Sequence, residues 1–337
     1  MDRTNVETNH KIITQDLVNK ILIEPAFNGG NRLCIVSGYA TSAMAFNHLN
    51  QLSGKKMDVK VELIIGMCSQ DGLPQSDHLA FLQMVQSEFK ENFLCSYFYK
   101  SPPVHSKVYV WLNDTRPMCA FAGSANYTQK AFCGLQSEAM VECDPVSALN
   151  CFNNLIGDTI YCSHPEAEAH IIIYKDYYKK RMVRHSESVE PPLTQISNYS
   201  ELPKETLSFL EKNGDLPPRS GLNWGQRPEH NRDPNQAYIK IPSKVYKSDF
   251  FPKRGIHFTV LTDDKKTLIC TRAQDKGKAI HTPHNNSLIG EYFRSRLGVA
   301  SGQPISISDL TAYGRTDVDF YKIDDETYLM DFSPIAK

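Results

Sequence analysis

The pattern of apolar residues changes once along this chain, and that change constrains the fold more than any single motif. Up to about residue 160, apolar runs of strand length alternate with amphipathic stretches of helix length. Arg32–Ser37 (RLCIVS) predicts a buried strand, residues 42–52 a helix, 59–67 a second strand and 76–89 a second helix. Phe93–Phe98 and residues 104–112, 118–122 and 138–142 are further strands. Strands interleaved with helices imply an α/β sandwich built on a mixed sheet. From 184 to 223 the pattern decays into a polar linker punctuated by Pro191, Pro192, Pro203, Pro217 and Pro218, with room for one short helix over 204–212. After Trp224 the strands are short, β-branched or aromatic, and separated by turn residues: 237–241, His257–Thr262, 267–272, 318–323 and 327–332. One helix, Ser287–Leu297, interrupts them; Leu288, Tyr292 and Leu297 face a core while Arg294 and Arg296 stay in solvent. The expected organisation is an α/β domain over 1–183, a linker over 184–223 and a mainly β barrel over 224–337.

Composition narrows the function classes. A hydrophobic fraction of 41% with 22% charged residues excludes global disorder. No apolar run approaches the ~20 residues that cross a bilayer, and the N-terminus is polar, so a soluble cytosolic protein with no membrane partner is expected. The net charge of -1 hides an asymmetry: residues 236–300 hold 12 basic side chains against 5 acidic, and 301–337 hold 3 against 7. A basic stretch in a neutral chain suits a local polyanion site. Cys34 and Cys119 sit in apolar runs as small core residues. Cys143, Cys151, Cys162 and His164 have spacings that match no paired-ligand pattern, so no metal site is assigned.

The chemistry concentrates between Val104 and Glu138. Strand alternation puts His105 and Lys107 side by side on one face of residues 104–112. The next strand ends in Gly123-Ser124-Ala125-Asn126, where glycine permits a tight exit and Ser124 and Asn126 present a hydroxyl and an amide. An imidazole can attack phosphorus and carry a phosphoryl group. Lysine, serine and asparagine can hold the non-bridging oxygens of the transition state. Glu138, on the following strand, is the candidate to orient the imidazole. Either half of this pattern alone is commonplace on a polar edge or turn; the ordered pair points to metal-independent phosphodiester cleavage.

His105-x-Lys107 followed by Gly123-Ser124-x-Asn126 resembles the HKD motif of the phospholipase D superfamily. The aspartate usual five residues after the lysine is replaced by Leu112, with Asp114 out of register, and the resemblance to the nuclease branch implies that Glu138 takes its place. A single motif implies a homodimer whose two histidines, one per chain, act as nucleophile and general acid across a two-fold axis. The stretches LNWGQR, FTVLTDD, RAQDKGKAI, NNSLIGEYFRSRLG and YGRTDV are similar to the NgoFVII-type restriction endonucleases. That resemblance implies a phospholipase D-like nuclease domain followed by a pseudobarrel like the plant B-three DNA-binding domain, in which two loops, the arms, grip the major groove of double-stranded DNA.

One arm is expected at residues 243–254, between the first two barrel strands, with Lys244, Lys247, Ser248 and Arg254 as contacts. A second is expected at 272–278, with Arg272, Gln274, Asp275, Lys276 and Lys278, and Arg315 and Asp317 offer the same donor and acceptor chemistry in a third loop. Arginine can read guanine and aspartate can accept from cytosine, while lysines more often position phosphate. Phe250-Phe251 is assigned to the core. The family resemblance further implies a bacterial restriction system with a cognate methyltransferase. Any ATP dependence must come from a helicase-like partner, because the chain has no phosphate-binding GxxxxGK[ST] loop. Two alternatives are a DNA-binding module on an inert nuclease scaffold and a lipid phosphodiesterase.

Overall fold

A computed structural model describes residues 12–176 and 199–335; the expected linker before residue 199 lies outside these, as do both termini. The described residues form two compact units, one of residues up to 73 with 81–173, the other of 74–80 with 174 onward.

In the first unit, eight strands make one mixed sheet: β1 Ile12–Ile13, β2 Arg32–Ser37, β3 Lys60–Ile65, β4 Phe93–Phe98, β5 Val108–Asn113, β6 Arg116–Gly123, β7 Met140–Cys143 and β8 Thr159–Tyr161. Their order is β1-β7-β6-β5-β2-β3-β4-β8. β2, β3 and β4 run parallel, and the other pairings are antiparallel. Central parallel strands are covered on both faces, which is why RLCIVS reads as a continuous apolar run. On one face Cys34, Val36, Val110, Leu112 and Ala120 pack with Ala148 and Phe152 of helix Pro145–Ile156. That helix starts on Asp144, whose carboxylate accepts from the Ser147 N–H at 2.7 Å, with Pro145 in its first turn. The other face carries Leu33, Ile35, Tyr109 and Trp111, all buried, and the Trp111 indole donates to the Ile21 carbonyl at 2.7 Å.

The second unit is a seven-stranded sheet of β9 Lys204–Ser208, β10 Ile239–Lys240, β11 His257–Thr262, β12 Thr267–Ala273, β13 Ala279–His281, β14 Asp317–Lys322 and β15 Thr327–Asp331, ordered β9-β14-β15-β11-β12-β13-β10. Its edge strands β9 and β10 lie against each other, so the sheet nearly closes into a barrel. Phe258, Val260, Cys270, Ile280, Phe320 and Met330 fill it, and Phe251, with Phe250 packed against the cluster, belongs to this core as expected.

Three local expectations are corrected here. Residues 204–208 are not a helix but strand β9, paired antiparallel with β14. Leu207 and Phe209 enter the barrel core at a period of two, and that burial overrides the helix-forming residues around them. Arg294 is 1% exposed rather than solvated, and its guanidinium donates to the carbonyls of Pro234, Asn235, Gly290 and Gln303. Arg296 grips Asp263 with both terminal nitrogens and lies over the rings of Tyr292, Tyr313 and Phe332. A further helix, Ile307–Tyr313, also enters this unit, started by a capping box between Ser306 and Asp309.

Candidate active site

The ends of β2 and β3, the start of β5, the end of β6 and the start of β7 meet at one edge of the first sheet, as the register pairs Val36 with Val108, Ser37 with Ile65 and Gly123 with Met140. His105 and Lys107 stand in an extended segment just before β5 rather than on the strand, which begins at Val108. The segment runs past the end of β2, so its backbone bonds go singly, from Val104 N–H to the Gly66 carbonyl and from Gly123 N–H to the Lys107 carbonyl. The alternation still holds. Lys107 Nζ lies 3.0 Å from His105 Nδ1 and 3.1 Å from Nε2, and donates to the His105 carbonyl at 2.7 Å. Lys107 is 8% exposed, whereas His105 is open to solvent. Burial lowers the Lys107 pKa, and the Glu138 carboxylate opposes that shift.

Two glycines make this packing possible. A Cβ on Gly66 would sit 2.0 Å from the Val104 carbonyl oxygen, and one on Gly38 would sit 2.9 Å from His105 Cδ2 and 3.4 Å from Asn126 Oδ1. Backbone therefore lies directly against the imidazole.

Beyond β6, Asn126 Oδ1 accepts from the Tyr39 N–H at 3.1 Å. This fixes the amide and leaves its Nδ2 as the donor end. Ser124 Oγ donates to the Glu138 carboxylate and accepts from the Ala139 N–H at 3.0 Å. Its proton is thus committed to Glu138, and the hydroxyl offers an incoming oxyanion no donor until that bond turns. Glu138 stands two residues before β7, not on it. Among the described residues its carboxylate bonds Ser124 and not His105, so within one chain it does not orient the imidazole as expected. Sequence reasoning passed over Ser37, Gly38, Tyr39 and Asp71 at this edge. A glycine directly after a buried parallel strand was the available signal.

In the second unit, eight of the eleven expected DNA contacts are exposed: Lys244, Lys247, Ser248, Arg254, Gln274, Asp275, Lys276 and Lys278. Arg272 is not. It is 8% exposed and donates to the carbonyls of Tyr246, Pro252, Lys276 and Gly277, tying the two loops together instead of facing outward. The tied loops make one basic surface. Tyr246 records it, its phenol pKa lowered first by a bond with Ser243 and then by Lys247, Lys278 and Lys276. Gln274 and Lys276 hold φ of +63° and +62°, backbone that non-glycine residues rarely adopt and that concentrates at functional loops. Ser248 Oγ is bonded to the Val245 carbonyl at 2.8 Å. Arg315 is 5% exposed, and its guanidinium bonds Asp317 at 2.9 Å, Asp319 and the Ser333 carbonyl. Arg315 and Asp317 therefore satisfy each other, and neither is presented as a reader of bases. Because β9 precedes β10, the loop between the first two barrel strands is 209–238, not 243–254. It holds Arg219, Arg227 and Arg232, the last stacked 4.2 Å from the Trp224 ring centroid.

Residues 15–169 match the family described as the NgoFVII restriction endonuclease N-terminal PLD domain, and residues 197–324 match the NgoFVII C-terminal B3-like DNA-binding domain. Among solved structures, NucT from Helicobacter pylori shares 11% identity over 45% of this chain and 98% of its own, with a TM-score of 0.32. Nuc of Salmonella typhimurium, a phospholipase D family member, shares 16% over 45% of this chain and 96% of its own, with a TM-score of 0.34. No curated protein matches the chain.

Proposed function

The chain belongs to the NgoFVII-type restriction endonucleases, with a phospholipase D-like nuclease domain and a B3-like DNA-binding domain, and from that premise we propose how it cuts. Two copies pair so that their His105 imidazoles face one scissile phosphate. One imidazole nitrogen attacks phosphorus in line, forming an N–P bond as the P–O bond to the leaving strand breaks. The partner subunit's His105 protonates the departing oxygen, then takes a proton from the water that displaces the histidine and restores both rings. Lys107 and the Asn126 amide nitrogen hold the non-bridging oxygens. Glu138, whose carboxylate accepts from Ser124, holds that hydroxyl at the same edge.

The observation that carries this reading is the convergence at one exposed sheet edge of an imidazole, an ammonium 3.0 Å from it and an oriented amide, the imidazole and the amide flanking Gly38. No step needs a metal ion, and the enzyme is proposed to be metal-independent. Sequence selection falls to the basic loops 243–254 and 274–278 together with 209–238. A cognate methyltransferase and a helicase-like ATPase are the proposed partners in a bacterial cytoplasm. Among the described residues no helix is long and apolar enough to cross a membrane.

The test is cleavage of plasmids carrying many candidate sites, in EDTA, alone and with an ATPase encoded beside the nuclease. Cleavage that survives the chelator and vanishes in His105→Ala supports the mechanism. Loss in EDTA with recovery on adding magnesium refutes it.

A further inference from the structure

A nucleophilic ring must be held in its attacking orientation, and misplacement by an ångström can cost about 10²-fold in rate. Among the described residues no carboxylate bonds the His105 ring. Lys107 approaches it, Gly38 backs it, and the Tyr39 ring meets it edge-on, with centroids 5.7 Å apart and planes at 78°. Tyr39 is 38% exposed, yet it is anchored at both ends. Its carbonyl accepts from Ser37 Oγ at 2.6 Å and its N–H donates to Asn126 at 3.1 Å. Its hydroxyl donates to Asp71 Oδ2 at 2.5 Å. Asp71 is fixed in turn, its N–H bonding the Met67 carbonyl at 2.9 Å while the Met67 N–H bonds the Gly38 carbonyl at 3.0 Å. The ring is thus the rigid wall of a closed loop of bonds that begins and ends beside the imidazole. An edge-to-face contact is attractive beyond burial alone and favours one imidazole orientation over another.

We propose that Tyr39, held by Asp71, is a positioning residue that sets the attack orientation of His105. The proposal rests on His105 being the nucleophile and adds to that reading what holds it in place. The ring does the positioning; the hydroxyl acts only by anchoring the ring. Burial and the Asp71 carboxylate push the Tyr39 phenol up to about 12, so the anchor keeps its proton throughout the neutral range.

The experiment compares full-length wild type, Tyr39→Ala, Tyr39→Phe, Asp71→Asn and His105→Ala in single-turnover plasmid cleavage and DNA binding. Tyr39→Ala is expected to slow cleavage about 10- to 100-fold with affinity within about threefold. Tyr39→Phe and Asp71→Asn, which keep the ring, recover most of the rate. A Tyr39→Ala enzyme within about threefold of wild type, or a Tyr39→Phe enzyme equally slow, overturns the proposal. Nuclear magnetic resonance of the protein labelled at its histidine rings, with His105→Ala for assignment, gives a reading independent of cleavage. The His105 ring signals should shift and average in Tyr39→Ala and stay near wild type in Tyr39→Phe; unmoved signals refute the positioning role. If His105→Ala cuts normally while those signals do shift, the nucleophile assignment fails and the contact stands.

Discussion

Adding one methyl group at Gly38 should disable the catalytic centre without disturbing the fold. Its Cβ would lie 2.9 Å from His105 Cδ2 and 3.4 Å from Asn126 Oδ1. Carbon atoms in ordinary contact stand roughly 3.5–4.0 Å apart, so the imidazole must retreat by about 0.6–1 Å. It can do so, because His105 is exposed, and Gly38 is not in the left-handed region, so alanine suits the backbone. A displacement of this size at a nucleophile costs about 10- to 100-fold in rate, equivalent to roughly 1.4–2.7 kcal/mol of barrier. Gly38→Ala should therefore show a single-turnover cleavage rate lowered by that factor, with a melting temperature within a few degrees of wild type and unchanged DNA affinity. Wild-type cleavage by this variant would mean that the imidazole does not act from its place against Gly38. A rate loss matched by a lost melting transition would assign Gly38 to folding instead.

Other expectations concern the second unit and pH. Arg272→Met removes the donor from four loop carbonyls, which partial access to water limits to a loss of about 1–3 kcal/mol in stability. Specific DNA binding should fall at least about tenfold while salt-sensitive non-specific binding persists, and equal loss of both in binding titrations would argue against loop positioning. His48, fully buried, bonds the Tyr127 hydroxyl through Nδ1 at 2.8 Å and donates from Nε2 to the Leu22 carbonyl at 2.9 Å, and its pKa is lowered to about 4, chiefly by desolvation. Between that value and the unfolded pKa of roughly 6.5 the unfolded chain binds the extra proton, so this contribution to stability is full above pH 6.5 and falls as pH drops, by about 2 kcal/mol at pH 5. His48→Asn should flatten the pH dependence of melting over that window, and an unchanged slope would show that His48 is not its source.

The parts of the site legible in the sequence are those whose partners lie close along the chain. His105 and Lys107 are two residues apart, and Gly123, Ser124 and Asn126 follow one strand end, so period-two alternation and a turn signal bring each group together before any fold is known. Tyr39 and Asp71 reach the same edge only because β2 and β3 are parallel neighbours there, and no local pattern records that pairing. Glu138 illustrates the opposite difficulty. Its position in sequence suggests a carboxylate for the imidazole, while the fold gives its oxygen to Ser124, 14 residues earlier in the chain.

The arginines explain why the loops of the second unit are harder to read in the sequence than the edge of the first sheet. Arg272 stands near the end of β12, Arg294 on a helix and Arg315 in a loop, yet each is at most 8% exposed and bonds backbone carbonyls, Arg315 adding two carboxylates. A guanidinium carries five donors on a planar fork, so one side chain can satisfy carbonyls contributed by several loops at once. A barrel whose loops lack regular hydrogen bonding has that need at several places. Charge alone therefore overstates how many arginines are available to DNA here. The lysines, whose ammonium is a strongly hydrated point charge, remain at the surface, together with Arg219 and Arg254. The loop 209–238 was missed for a related reason. Its defining strand, β9, is recognisable only through pairing with β14 more than a hundred residues later, and once Leu207 and Phe209 are placed in the barrel, the boundary between linker and DNA-binding unit moves ahead of residue 204 and the arginine-bearing loop follows.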